Sequence, residues 1–291
     1  MTIASESAAP PAAQDRVQTT RAREIRMSRT QSAPFWLVSV LQLALFAGFL
    51  GAWELAVRLG FVNAFLFGSP AGIYEKLVVM ISDGSLFFDT GVTMMEAILG
   101  FAIGTVLGSA AGLALWYSPF VARIASPFIA AINSIPKIAL APIIILWFGT
   151  GLTSKVALAV SLTAIVALIT AYEAAKDVDV DLQALLVTLG GSKYQVFFMV
   201  VVPATLPAVI STFRINLGFA LVGAVVGEFI SSQNGLGHVI YTASSFYELN
   251  TVWVGLFVLM FIGFILYKLV DLLEKVLLPW KQISASQNIR L

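Results

Sequence analysis

Cysteine is absent from the 291 residues, and histidine occurs once, at His238. The first absence excludes disulfides, thiolate metal sites and cysteine nucleophiles. The second leaves too few imidazoles for a catalytic zinc centre, so His238 reads as a surface or interface residue. Charge is scarce as well. Only 11% of residues are Asp, Glu, Lys or Arg, against roughly 25% in an average soluble domain. A net charge of +1 gives no basic surface for nucleic acid. No phosphate-binding loop occurs, because "GGSK" at 190–193 lacks the first glycine and the spacing of one. Any ATP used must therefore bind another chain, and no cofactor is expected. Asp177, Asp179 and Asp181 open like a calcium loop. The loop's sixth position needs Gly and holds Leu182, and its twelfth needs Glu and holds Thr188. The three read as a solvated acidic turn.

What the chain has in excess is apolar sequence, 59% of residues, with a mean hydropathy of +0.91. Apolar runs of about 20 residues recur, each enough to cross roughly 30 Å of hydrocarbon as helix. They lack the period-two alternation of barrel strands. The expectation is an all-α integral membrane protein in the lipid bilayer with about six spans: 34–58, 92–116, 120–148, 153–172, 206–230 and 252–277. Pro127, Pro136 and Pro142 forbid a straight third span and put a break near "NSIPK". Gly100, Gly104, Gly108 and Gly112 form a small-xxx-small ridge on which another helix can pack closely. Between the first two spans, "GIYEKLVVMIS" predicts a short interfacial helix. Residues 1–33 read as a disordered tail, 34–280 as the membrane domain and 281–291 as a C-terminal tail.

Lys and Arg orient the spans. Arg16, Arg21, Arg23, Arg26, Arg29, Arg123, Lys176, Lys193, Lys275, Lys281 and Arg290 fall on one side; Arg58, Lys76 and Lys155 fall on the other. The first set marks the cytoplasm, with both termini in it. Polar groups in or near the spans are costly in lipid and face a partner or a cavity. Glu54, Glu96, Lys137, Arg214, Asn216 and Glu228 are therefore candidates to line a translocation path. Pairing between helices is the competing role. For Arg214 and Asn216 a further one is bridging backbone freed by prolines. Lys268 and Asp271 are expected to snorkel to the interface.

The cytoplasmic loop 172–206 has helical signals of its own. Leu182, Leu185, Leu186 and Leu189 fall on one helical face. Gly190-Gly191 suits a C-cap and a sharp turn. Ser192 can cap a second helix starting at Lys193 or Tyr194, which Pro203 and Pro207 stop as the next span begins. The result is an exposed knuckle at 190–194, suited to a protein partner.

Three stretches, taken in order, carry a family resemblance. "LGGSKYQVFFMVVVPATLPAVISTFRI" at 189–215 resembles the signature of permease subunits of binding-protein-dependent ABC importers. "SIPKIALAPIIILWFGTG" at 134–151 and "GEFISSQNGLGHVI" at 227–240 resemble further segments of those permeases, in the nitrate, sulfonate and taurine branch. The likeness covers most of 34–280. It implies a type I importer permease fold with a cytoplasmic coupling helix between spans four and five. Implied partners are cytoplasmic ABC ATPase subunits, a solute-binding protein and a second permease copy, a homodimer. The inner (plasma) membrane is the implied location, and the chain itself would not be an enzyme. The contact with the ATPase falls on Ala184, Leu185, Gly190, Gly191, Ser192, Lys193, Tyr194 and Pro203. The family places Pro thirteen residues after its Gly, as Pro203 follows Gly190, and Glu-Ala-Ala six before it. Here Ala184, Leu185 and Leu186 stand at that place, and Glu173-Ala174-Ala175 lies too far upstream. The alternative is an ion-coupled secondary transporter with Glu54, Glu96 or Glu228 carrying protons.

Overall fold

The computed structural model describes residues 35–278, among which helix is the only regular structure. The tails expected at 1–33 and 281–291 lie outside the described residues. The chain divides after Leu59 into two compact units. The first holds α1 (Phe35–Arg58), an apolar helix with mostly exposed side chains. The second holds α2 (Ala64–Phe67), α3 (Pro70–Ser82), α4 (Ser85–Tyr117), α5 (Pro119–Ser134), α6 (Ala141–Phe148) and α7 (Leu152–Lys176). It continues with α8 (Val180–Thr188), α9 (Lys193–Val196), a π-helical turn (Phe197–Val201), α10 (Val202–Ser231), α11 (Leu236–Ser245) and α12 (Leu249–Leu277).

Five helices are long and apolar enough to cross a membrane: α1, α4, α7, the run Lys193–Ser231 and α12. The sixth candidate is a broken pair. α5 stops at Ser134, a single 3₁₀ turn spans Lys137–Leu140, and α6 leaves at 86° to α5. The break falls where the prolines of "NSIPK" and "LAP" predict it. The helix expected at "GIYEKLVVMIS" is α3. It is tied to the start of α12 by Ser69 N–H donating to Asn250 Oδ1 at 2.9 Å and by Lys76 Nζ at 3.1 Å from Glu248 Oε2. The bond from Lys76 holds the Glu248 carboxyl below its ordinary value.

Two boundaries differ from expectation. α4 begins at Ser85 rather than 92, because Asp83 Oδ1 accepts both the Ser85 N–H (2.9 Å) and its hydroxyl (2.7 Å). The polar residues of "SLFFDTG" hide this start from a reading of apolar runs. The second correction is larger. Pro203 and Pro207 do not stop the helix from Lys193, which runs on to Ser231 without interruption. The π-helical turn Phe197–Val201 ends two residues before Pro203. Its wider winding makes room for a ring and a missing N–H that a regular helix interior would not accept.

The core is a cluster of three helices, α4, α7 and α10, each packed against the other two. The ridge of α4 packs on α7 so closely that a Cβ at Gly104 would strike Thr163, and one at Gly108 the Ala164 carbonyl oxygen. A Cβ at Gly223 of α10 would likewise lie 2.6 Å from the Ala159 Cα. Ala97, Ala159, Ala220 and Ala224 fill the seam. With no solvent-driven term between helices in lipid, this close van der Waals packing is what holds them together. Gly108→Val therefore meets backbone that no rotamer change can relieve. It should lower stability by about 3 kcal/mol, read as a fall in the melting temperature followed by tryptophan fluorescence in detergent. Gly91→Val, where a Cβ meets open space, is the matched control and should melt like the unmodified protein.

Candidate functional site

At one end of the core, the chain between α7 and α10 builds the expected knuckle. α8 terminates in a Schellman turn: Gly191 N–H donates to the Leu186 carbonyl and Gly190 N–H to the Val187 carbonyl, both at 2.9 Å. Gly190 has φ +85°, which favours glycine. Ser192 then caps α9 by a reciprocal box with Gln195: Ser192 N–H donates to Gln195 Oε1 (2.7 Å), and Gln195 N–H to Ser192 Oγ (3.3 Å). Underneath, Ala175, Val178, Val196 and Val201 form a buried cluster with Trp116 and Phe197 against it. Above it Leu185, Leu189 and Tyr194 stay exposed. Between α8 and the Met199–Ala204 stretch lies a mostly apolar groove of about 530 Å³, lined by Leu182, Leu185, Leu186, Leu189 and Pro203. Ala184, Gly190, Gly191, Ser192, Lys193 and Tyr194 thus belong to one compact feature.

The opposite end of the core gathers the buried charges. Glu96 of α4 and Glu228 of α10 are each 1% exposed. Glu228 clasps the "GLG" turn. Its Oε2 accepts the Gly237 N–H at 2.6 Å, and its Oε1 accepts the Thr93 hydroxyl at 2.7 Å. Thr93 Oγ1 accepts the Leu236 N–H at 2.9 Å, and Asp89 Oδ1 the Gly235 N–H at 2.8 Å. Three of the four N–H groups at the start of α11 that lack an intrahelical acceptor are thereby matched by side chains of α4 and α10. Both glycines are demanded by this approach: a Cβ at Gly237 would sit 2.6 Å from Glu228 Oε2, and Gly235 has φ +100°. Glu96 meets the Glu228 carboxyl and pairs through Oε1 with Lys155 Nζ of α7 at 3.5 Å. The Glu96 carboxyl thus lies between the Glu228 carboxyl and the Lys155 ammonium.

The remaining candidates are dispersed. Arg214 pairs with Asp271 (2.5 Å) and Glu274 (2.6 Å) of α12. It joins helices and does not bridge proline-freed backbone, and Asp271 is its partner rather than a snorkelling group. Asn216, fully buried, donates to Thr105 Oγ1 of α4 at 3.0 Å. Lys137 bonds the Asn133 carbonyl at 3.1 Å within its own break. Glu54 pairs with Arg58 at 2.7 Å along α1. Of the expected path residues, only Glu96 and Glu228 come together. Lys155 was read only as an orientation charge; a cation at the start of an apolar span, opposite an acid in another span, was the available signal. No group of three or more His, Asp or Glu residues able to hold a metal occurs among the described residues.

Across residues 104–279 the chain matches the family model described as "Binding-protein-dependent transport system inner membrane component". The chain belongs to that family. It is a multi-pass permease subunit of an ABC importer, in a family of transporter permeases rather than of catalysts. It is 36% identical to the riboflavin transport system permease protein RibX of Chloroflexus aurantiacus, over 79% of this chain and 85% of that one. It is 32% identical to the formylaminopyrimidine transport permease protein ThiX of Halalkalibacterium halodurans, over 79% and 91%. It is 29% identical to the putative aliphatic sulfonates transport permease protein SsuC of Escherichia coli, over 84% and 93%. Among solved structures, an inward-facing MetNI methionine ABC transporter shares the fold, with TM-score 0.57 and 20% identity over 64% of this chain and 92% of that one.

In the permease, the clasp on α11 makes a local prediction. Glu228→Ala leaves buried N–H groups unpaired, at about 1–3 kcal/mol each, and Gly237→Ala pushes a methyl onto the carboxylate. Both should speed amide exchange across 235–245 by more than tenfold while leaving 184–201 unchanged. Equal change at both ends would contradict a local clasp.

Proposed function

We propose that the permease works with cytoplasmic ABC ATPase subunits that dock on the knuckle, the contact involving Ala184, Leu185, Gly190, Gly191, Ser192, Lys193, Tyr194 and Pro203. A solute-binding protein delivers cargo at the α11 end. One observation carries the reading: the capped start of α9 opens an uninterrupted helix, Lys193–Ser231, of 39 residues. At 1.5 Å per residue this is a rod of about 58 Å. It links an exposed apolar knuckle directly to the Glu228 clasp at the far end of the core. A push on the knuckle therefore reaches the opposite face without passing a loop. The absence of the family's Glu at Ala184 removes one ionic contact and leaves the apolar ones.

The orientation follows the Lys and Arg distribution, with the knuckle and both termini in the cytoplasm and 34–280 in the inner membrane. The second permease is a copy of this chain. Phe128, Leu146 and Trp147, all exposed on the broken pair, offer it an apolar surface. The solute is small, of the class delivered to sulfonate, riboflavin or pyrimidine-type importers. With the family assigned, an ion-coupled secondary transporter is no longer needed to explain the buried carboxylates, whose bonds to the α11 turn and to Lys155 give them structural work.

Gly190→Pro removes a donor of the Schellman turn and forbids its positive φ. It should abolish co-purification of the ATPase and reduce ATP-driven uptake more than tenfold, with the permease still folded. Glu173→Ala should change uptake less than twofold, because Glu173 makes an exposed pair with Lys176 worth about 0–1 kcal/mol. Uptake that persists without any ATPase and collapses with the proton gradient would sink the proposal.

A further inference from the structure

The helix Lys193–Ser231 is continuous but not uniform. Pro203 and Pro207 each lack an N–H, and the π-helical turn Phe197–Val201 comes just before them. Prolines and π-helical turns are the places where long helices bend. A push on the knuckle therefore meets the weakest stretch of the long helix before it reaches the core.

Beside that stretch a row of rings leads to a different helix. Tyr194, exposed on the knuckle, lies 4.5 Å from Phe198, ring centre to ring centre. Phe198 meets Phe197 edge-on at 4.9 Å. Phe197 stacks on Trp116 at 5.5 Å and meets Tyr117 edge-on at 5.9 Å. Every step falls within the range of attractive ring contacts. Lys193 joins the row, with Nζ 4.8 Å from the centre of the Tyr117 ring, a cation–π distance. The end of α7 contributes the smaller Ala175 to the cluster beneath. Trp116 and Tyr117 are the last two residues of α4, which runs for 33 residues with no proline inside it. Toward its other end α4 carries Asp89 and Thr93, which hold the α11 turn. Two helices thus join the knuckle to that turn, and the second bypasses the prolines.

We infer that Trp116 and Tyr117 are positioning residues for coupling. They brace the π-helical turn, so that load on the knuckle passes into α4 instead of bending the long helix at its prolines. Both act through Phe197, and Tyr117 through Lys193 as well. The inference rests on ATPase docking at the knuckle, as proposed above, and adds the route that the load takes.

The test uses the permease–ATPase complex in nanodiscs, with ADP and vanadate as the probe that traps the closed ATPase. Amide exchange is compared between resting and trapped complexes. In the unmodified complex, trapping should change exchange across 231–245 at least fivefold. Trp116→Leu combined with Tyr117→Leu removes the rings and keeps apolar bulk. It should reduce that change to less than twofold, with ATPase affinity and ATP hydrolysis within twofold of the unmodified complex. Trp116→Phe combined with Tyr117→Phe keeps the rings and should restore the response. Tyr117 is exposed, so Tyr117→Leu alone spares the buried cluster. It should at least halve the response, and it carries the test if the double leucine variant fails to fold. A full response in the leucine variants, or none in the unmodified complex, would overturn the bracing role and leave the rings as interfacial anchors. Lost ATPase affinity in those variants would overturn it too, by placing the rings in the docking face. Neither result touches the importer reading. An unmodified permease that never associates with an ATPase would overturn both.

Discussion

α4, α7 and α10 pack against one another at separations set by glycine and alanine, and the rest of the second unit is arranged around those contacts. Ala159 lies under both Gly100 of α4 and Gly223 of α10. A helix so closely flanked cannot rotate or slide without backbone collision. Its polar side chains must therefore find partners on the two neighbours. Thr163 does so by donating to the carbonyls around it, its own Ala159 at 2.9 Å and Gly100 of α4 at 3.3 Å. Lys155, at the open end of the seam, does so through Glu96.

The same contact explains why buried charge is tolerated. An isolated carboxylate in a span is expensive, and a pair is tolerable only when its remaining lone pairs are matched. Glu228 meets that condition through Thr93 and the Gly237 N–H, because α4 and α10 hold the α11 turn within bonding distance. Glu96 meets it between the Glu228 carboxyl and the Lys155 ammonium of α7. The packed seam thus fixes Glu228 as a clasp on the α11 turn and Glu96 as the link from it to Lys155.

At the opposite end the chain is organised for transmission. Packing of Val196 and Val201 against Ala175 and Val178 seats the knuckle on the ends of α7 and α10. The Schellman turn at Gly190 and the capping box at Ser192 leave no slack between α8 and the long helix. The π-helical turn lies just ahead of Pro203, and the helix continues past both prolines. The knuckle is thereby joined without a loop to α10, whose other end carries Glu228.

Local chemistry in the sequence determined the spans, the break at Pro136, the knuckle and its caps, and the small-residue ridge. Each of these depends on residues within a few positions of one another: an apolar run, a proline, a glycine beside a serine. The family resemblance was legible for the same reason, since its three stretches are contiguous. Tertiary structure alone decided the partners of the in-span polar groups. Glu96 with Lys155, Glu228 with the α11 turn, and Arg214 with Asp271 and Glu274 each join positions far apart in the chain, and no periodicity encodes which span faces which. It also decided that the helix survives Pro203 and Pro207. Propensity forecasts a stop at a proline; at Pro203 the π-helical turn, packed through Phe197 and Val201, supplies the wider winding that lets the helix continue.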